Sequence, residues 1–157
     1  MYGVKVFEGL VEKIRNNLDL LIENKDWEFR VKDSYNADFS EKLPLGNYEL
    51  IMPSGVIGEV DTIIASFKLV PMVNCCGICV STQAFINPQW RHKGLGTFMN
   101  SIRLDIARYN GYSLLLCTDI ESNEYQRKIL AKNGWQDIYK FVNRRTKNTV
   151  NITVINL

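Results

Sequence analysis

The chain holds one histidine, four cysteines and four prolines in 157 residues, and neither sign of charge is in excess. Each shortage excludes something. With 19 basic and 17 acidic residues the formal net charge is +2, too small to mark a nucleic-acid binder or a membrane-surface protein. No apolar run approaches the roughly 20 residues of a transmembrane helix. The opening residues M-Y-G-V-K-V-F-E lack the layout of a signal peptide. A cytoplasmic protein with no membrane partner is expected. Cys76 and Cys79 are spaced C-x-x-C, but only Cys117 and His92 stand outside the Cys75–Cys76–Cys79 cluster to complete a four-ligand zinc site. The cysteines lie in β-like runs, so buried strand thiols are expected, with no metal.

What is present is ordinary for a globular chain: 46% hydrophobic and 23% charged residues. The length suits one domain over residues 1–157 with a core that needs no staples. Phe7, Leu10, Val11, Ile14, Leu18, Leu21 and Ile22 fall on one helical face, which predicts a helix over 5–24. Alternation at Trp27, Phe29 and Val31 predicts a short strand, and the polar stretch 33–47, broken by Pro44 and Gly46, a loop or a mobile segment. Strands are expected at 48–52 and 61–70 around Pro53-Ser54-Gly55, then a long strand region over 73–86. A helix follows over 95–109, with Leu95, Phe98, Met99, Ile102, Ile106 and Tyr109 on its apolar face and Asn110-Gly111 as its stop. The continuously apolar 113–117 reads as a central strand. A helix over 124–132 and a hairpin of 138–142 with 150–157 complete an α/β domain with a mixed sheet.

The junction between the strand ending at Ile86 and the helix beginning at Leu95 carries the chemistry. It reads Pro88-Gln89-Trp90-Arg91-His92-Lys93-Gly94-Leu95-Gly96. Glycines at a helix start let backbone N–H groups approach an anion, and the helix dipole favours negative charge there. Arg91 and Lys93 add positive charge, so a pyrophosphate suits this turn. Neither G-x-G-x-x-G nor G-x-x-x-x-G-K-[ST] is present.

Arg91-x-x-Gly94-x-Gly96, preceded by a strand ending I-N-P, resembles the signature of the GNAT superfamily of N-acetyltransferases, V-x-P-x-x-[QR]-x-x-G-x-[GA]. The element order matches that family over roughly residues 60–157. The C-terminal stretch is also similar to short phage-encoded acetyltransferase-like proteins. The resemblance implies a GNAT-like, mostly antiparallel central sheet with flanking helices, and acetyl-CoA as co-substrate without a metal. It places coenzyme A against Phe85, Ile86, Arg91, His92, Lys93, Gly94, Leu95, Gly96, Thr97 and Asn123. It further implies that strands 80–86 and 113–118 splay apart. Backbone N–H groups are thereby freed for pantetheine, and one near Ile86 would polarise the thioester oxygen.

Family members also carry an asparagine that bonds the pantetheine arm, and a tyrosine, four residues before a glycine–aromatic pair, that protonates the departing thiolate. Here Asn123, Gly134 and Trp135 stand in that arrangement, but the tyrosine position is Leu130. Tyr125 lies about 140° from it around a helix of roughly 3.6 residues per turn. Asn123 also suits a helix N-cap with Gln126 as capping-box partner. The family often has a glutamate on the strand before the phosphate turn, yet residues 73–87 contain no acid. Asp119, just past a strand's C-terminal end, is the expected general base, ahead of Glu121, Glu59 and Asp61.

The expected reaction is direct acetyl transfer to a primary amine of a small molecule or protein, by a monomer or homodimer. The basic stretch Lys140 to Asn148 leaves open a second reading, modification of a nucleobase or tRNA. Leu130 and the acid-free strand leave a third, a coenzyme-A-binding protein with little catalysis.

Overall fold

A computed structural model describes residues 2–18, 26–32 and 45–157. One helix, α1 (Tyr2–Leu18), precedes the strands β1 (Glu28–Lys32), β2 (Asn47–Met52), β3 (Thr62–Pro71) and β4 (Ile78–Ile86). Helix α2 (Leu95–Tyr109), strand β5 (Leu114–Ile120), helix α3 (Glu124–Lys132) and strands β6 (Gln136–Val142) and β7 (Thr149–Asn156) follow. The predicted extension of the first helix over 19–24 and most of the predicted 33–47 loop lie outside the described residues.

The strands form one seven-stranded sheet in the order β1-β2-β3-β4-β5-β7-β6. Every neighbouring pair is antiparallel except β4 and β5. Those two parallel strands are joined by the α2 crossover, as a parallel pair requires. The sheet is therefore mixed, as the element order predicts, and mostly antiparallel, as the resemblance implies.

One face of β1, β2 and β3 is a ladder of aromatic rings. Phe29 stacks on Tyr48 at 5.5 Å between centroids, and Tyr48 on Phe67 at 5.3 Å. Leu10, Ile14 and Leu18 of α1 and Leu95, Met99, Ile102 and Ile106 of α2 pack into the same core. Lys13 pairs with Asp105, tying α1 to α2.

The long strand predicted from residue 73 begins only at Ile78. Asn74 and Gly77 take positive φ (57° and 80°), and this left-handed pair turns β3 into β4. The cysteines divide accordingly. Cys79 and Cys117 are buried strand thiols, as expected, whereas Cys76 is exposed in the turn and Cys75 half-buried. Burial pushes the Cys79 thiol up to about 11, so the strand member of the C-x-x-C pair is no ready thiolate.

Candidate active site

The parallel pair β4–β5 opens into a wedge. Its register runs from Ile78↔Leu114 to Ser81↔Cys117 and stops there, although β4 continues to Ile86 and β5 to Ile120. Beyond Ser81, β4 stays paired to β3 and β5 to β7, so the two strands part while each remains held on its outer side. A register shift against Ser66–Lys68, with Gln83 at φ 53°, marks a bulge in β4 at the place of divergence. The facing edges of the wedge are left to pair with something else.

At its open end lies the glycine-bearing turn. Asn87 caps a short 3-10 turn (Pro88–Trp90) by accepting from the Gln89 N–H at 3.2 Å. The Arg91 Nε donates back to the Ile86 carbonyl at 3.0 Å, which ties the turn to the end of β4. His92 (φ 62°) and Gly94 (φ 78°) are both left-handed, and Gly94 is the N-cap of α2 with no side-chain cap. Left-handed residues running into a right-handed helix turn successive N–H groups toward one point, an anion-binding concavity. Among the described residues no hydrogen bond is donated by the backbone N–H of His92 through Thr97.

Gly96 has a packing task as well as the one the spacing suggests. A Cβ built there would lie 2.6 Å from Ile129 Cδ1 and 3.6 Å from Tyr125 Oη. Glycine at this position leaves room for the Ile129 side chain of α3 against α2, and residues of both helices line the cleft.

That cleft, of ≈ 260 Å³, brings together Phe85, Ile86, Arg91, His92, Gly96 and Asn123 from the expected set. Lys93 and Gly94 are exposed at the turn, Thr97 is half-buried on the first turn of α2, and Leu95 sends its side chain into the core. Asn123 caps α3, accepting from the Gln126 N–H at 3.2 Å, and faces the cleft as well, so its two expected tasks are compatible. Tyr125 also lines the cleft, edge-on to His92 at 5.4 Å. Leu130 is buried and does not.

The sequence motifs give no indication of several polar and flexible residues on the cleft wall, among them Ser66, Met99 (expected only in the core), Asn100 and Arg103. The last two are 3% exposed. Arg103 Nε and Nη2 donate to Asn100 Oδ1 at 3.0 and 2.7 Å, and Nη1 to Ser81 Oγ at 3.1 Å. The guanidinium lies 4.7 Å from the centre of the Trp135 ring. No ion pair reaches it among the described residues. An unpaired buried charge costs several kcal/mol, and the Trp135 contact returns about 0.5–2 kcal/mol. Burial pulls the Arg103 pKa down, yet arginine stays protonated in proteins. One signal is present in the sequence: Arg103 follows Met99 by four and adjoins Ile102, a charge on the apolar face of the helix.

The structure sets Asp119 apart from the cleft. Its side chain is 2% exposed and accepts from Arg127 Nη1 (3.0 Å), Thr153 Oγ1 (2.9 Å) and Asn151 Nδ2 (3.4 Å). It borders a separate cavity of ≈ 110 Å³ with Leu130 and Trp135. Arg127 also binds Asp137, and this bond holds the Asp137 carboxyl below its ordinary range. The other candidate bases are elsewhere: Glu121 pairs with Lys140, Asp61 with Arg30, and Glu59 is exposed on a loop. Among the described residues the cleft is lined by no carboxylate, and no cluster of potential metal ligands occurs.

No family profile matches the chain, and no curated protein matches its sequence. Its folded shape does match known structures. The ribosomal-protein-S18-alanine N-acetyltransferase of Escherichia coli superposes with a TM-score of 0.56 at 13% identity, over 71% of this chain and 68% of that one. An acetyltransferase of the GNAT family from Streptococcus pneumoniae gives 0.59 at 13% identity, over 72% and 66%. A Salmonella typhimurium protein assigned as an acetyltransferase, solved with its cofactor acetyl-CoA, gives 0.57 at 12% identity, over 72% and 65%. What the chain shares with them is a fold, that of the GNAT acetyltransferases.

Proposed function

We propose that the chain is an acyl-CoA-dependent N-acyltransferase, acetyl-CoA in the simplest case, that acylates a primary amine of a small molecule or protein by direct transfer. One observation carries this reading: the β4–β5 pairing ends at Ser81↔Cys117, and the wedge beyond it opens onto a turn whose N–H groups, from His92 to Thr97, have no protein acceptor among the described residues. The phosphates would rest on that turn beside Arg91 and Lys93, and the pantetheine arm would pair with the free edge of β4 near Phe85 and Ile86, within reach of Asn123. Gly94 at φ 78° supports the same assignment, because a side chain there would both strain the backbone and intrude on the turn.

The bound thioester supplies an activated acyl carbon. The protein's part is to hold it close to the amine and to present a backbone N–H to the developing oxyanion. With no carboxylate on the cleft among the described residues, the ammonium loses its proton to water or to His92, the one imidazole on the wall. A thiol pKa near ~8.5 makes the thiolate a tolerable leaving group without a dedicated acid, in keeping with leucine at position 130. Free cysteines accord with a cytoplasmic setting.

Calorimetric titration with acetyl-CoA, paired with a free-thiol release assay over polyamines, amino sugars, peptides, tRNA and DNA, tests the proposal. Micromolar binding and thiol release with an amine-bearing acceptor are expected. Absence of binding at millimolar acetyl-CoA overturns it, and binding without release for any acceptor leaves only a coenzyme-A-binding protein.

A further inference from the structure

Arg103 is a buried charge that simple acetyl transfer leaves without a task. It stands seven residues past Gly96 on α2, about 10 Å further along the helix axis, and the cleft runs along the stripe Gly96, Asn100, Arg103. Its Nε–H and one N–H on each terminal nitrogen are used by Asn100 and Ser81. The second N–H of each terminal nitrogen has no protein acceptor among the described residues. The neighbouring Cys117 does not neutralise the guanidinium, because burial pushes that thiol up to about 12.

Asn100 makes an independent case. Its Oδ1 collects donors from Arg103 and from Trp135 Nε1 (3.1 Å), which fixes which way the amide faces. The buried Nδ2 is then left with no partner among the described residues. The inner end of the cleft is thus rich in donors, carries one positive charge and, among the described residues, lacks an acid. Polar groups of this kind stay buried at low cost only when an acceptor meets them, and an anionic acceptor meets them best.

We propose that Arg103 and Asn100 recognise a carboxylate at the end of the acyl group, so that the preferred donor is the coenzyme A thioester of a short dicarboxylic acid. The inference rests on the acyl-CoA reading above. The donor is favoured over the acceptor as the source of the carboxylate because these residues share a helix and a cleft with the phosphate turn. Ser81, which Arg103 holds, is the residue at which β4 and β5 part. Whatever reaches it along the wedge comes past Ile86 and Phe85, in line with a chain anchored at Arg91 and Gly96. The methyl of an acetyl group offers Arg103 no acceptor.

The test is calorimetric titration of the full chain with succinyl-CoA, with butyryl-CoA as its uncharged counterpart of equal chain length, and with acetyl-CoA and CoA. The wild-type chain is expected to bind succinyl-CoA at least about tenfold more tightly than butyryl-CoA, the worth of one charge-assisted contact. That ratio should fall below about twofold in Arg103→Met and be partly kept in Arg103→Lys. Equal affinity for the two thioesters in the wild type overturns the inference, whether or not Arg103→Met folds. So does a ratio that persists in a folded Arg103→Met variant. If CoA and acetyl-CoA bind but charge is not discriminated, only this inference falls; if none of the four binds, the acyl-CoA reading falls with it.

Discussion

A carboxylate's surroundings decide whether it can take a proton from a substrate, and Asp119 has surroundings that oppose it. Both oxygens are occupied by donors, one of them the Arg127 guanidinium, and the side chain is 2% exposed. Breaking such a pair strands the partner, although Arg127 keeps its bond to Asp137. Asp119→Asn is therefore expected to cost about 2–4 kcal/mol of stability, seen as a lower urea midpoint. Turnover per folded molecule should change by less than about tenfold, since general-base removal costs about 10²–10⁴. A loss of about a thousandfold in a variant of unchanged stability would restore Asp119 to the chemistry. Its place near a strand end singles it out in the sequence, but β7 lies alongside β5 and supplies Thr153 and Asn151 as its partners. That pairing is long-range, and local sequence gives no sign of it.

Between elements, the contact of α2 with α3 depends on a missing side chain. The ideal Cβ at position 96 would sit 2.6 Å from Ile129 Cδ1, well inside van der Waals contact, but the atom it meets is the end of a flexible side chain. Gly96→Ala forces Ile129 to move at a cost of about 1–3 kcal/mol, against a gain of up to about 1 kcal/mol in helix propensity. Ile129→Val removes the clashing methyl and alone costs about 0.5–1.5 kcal/mol. The double variant should be more stable than the sum of the two changes predicts, by about 1 kcal/mol, with coenzyme A affinity recovering in parallel. Additive urea midpoints would show that α3 does not rest on Gly96. The pattern G-x-G signals a turn for phosphate equally well without this contact. The packing role of its second glycine emerges only in three dimensions, because α3 follows α2 in the chain with the whole of β5 between them.

Across the whole molecule, what is legible in the sequence is what local patterns encode. Period and punctuation place α2 and α3 and most strands to within a few residues, because their apolar spacing and their stops at Asn110-Gly111 and Asn133-Gly134 are local. The glycine-bearing turn before α2, proposed above to hold the phosphates, is readable as a turn for the same reason. The Arg103–Asn100–Trp135–Ser81 cluster is not, since separate parts of the chain meet there only once the sheet has formed. Charge is the remaining whole-molecule question. The net value is only +2, yet Arg144, Arg145 and Lys147 are exposed on the β6–β7 turn with no ion pair among the described residues. The turn follows β6 and leads into Thr149, whose carbonyl accepts from the Glu121 N–H at the C-terminal end of β5, so it flanks the open end of the wedge. If it met nucleic acid, each neutralised phosphate would contribute about −0.9 to the slope of log affinity against log salt on duplex DNA. Replacing Arg144 and Arg145 together by alanine would then flatten that slope by about two units. The preferred small-molecule or protein acceptor predicts instead that the double variant leaves both turnover and its salt response unchanged, because a solvated turn contributes little at a Debye length of about 8 Å. Binding of tRNA or DNA measured from about 50 to 200 mM salt decides between them: a steep slope that collapses in the double variant would move the acceptor from a small amine or protein to nucleic acid.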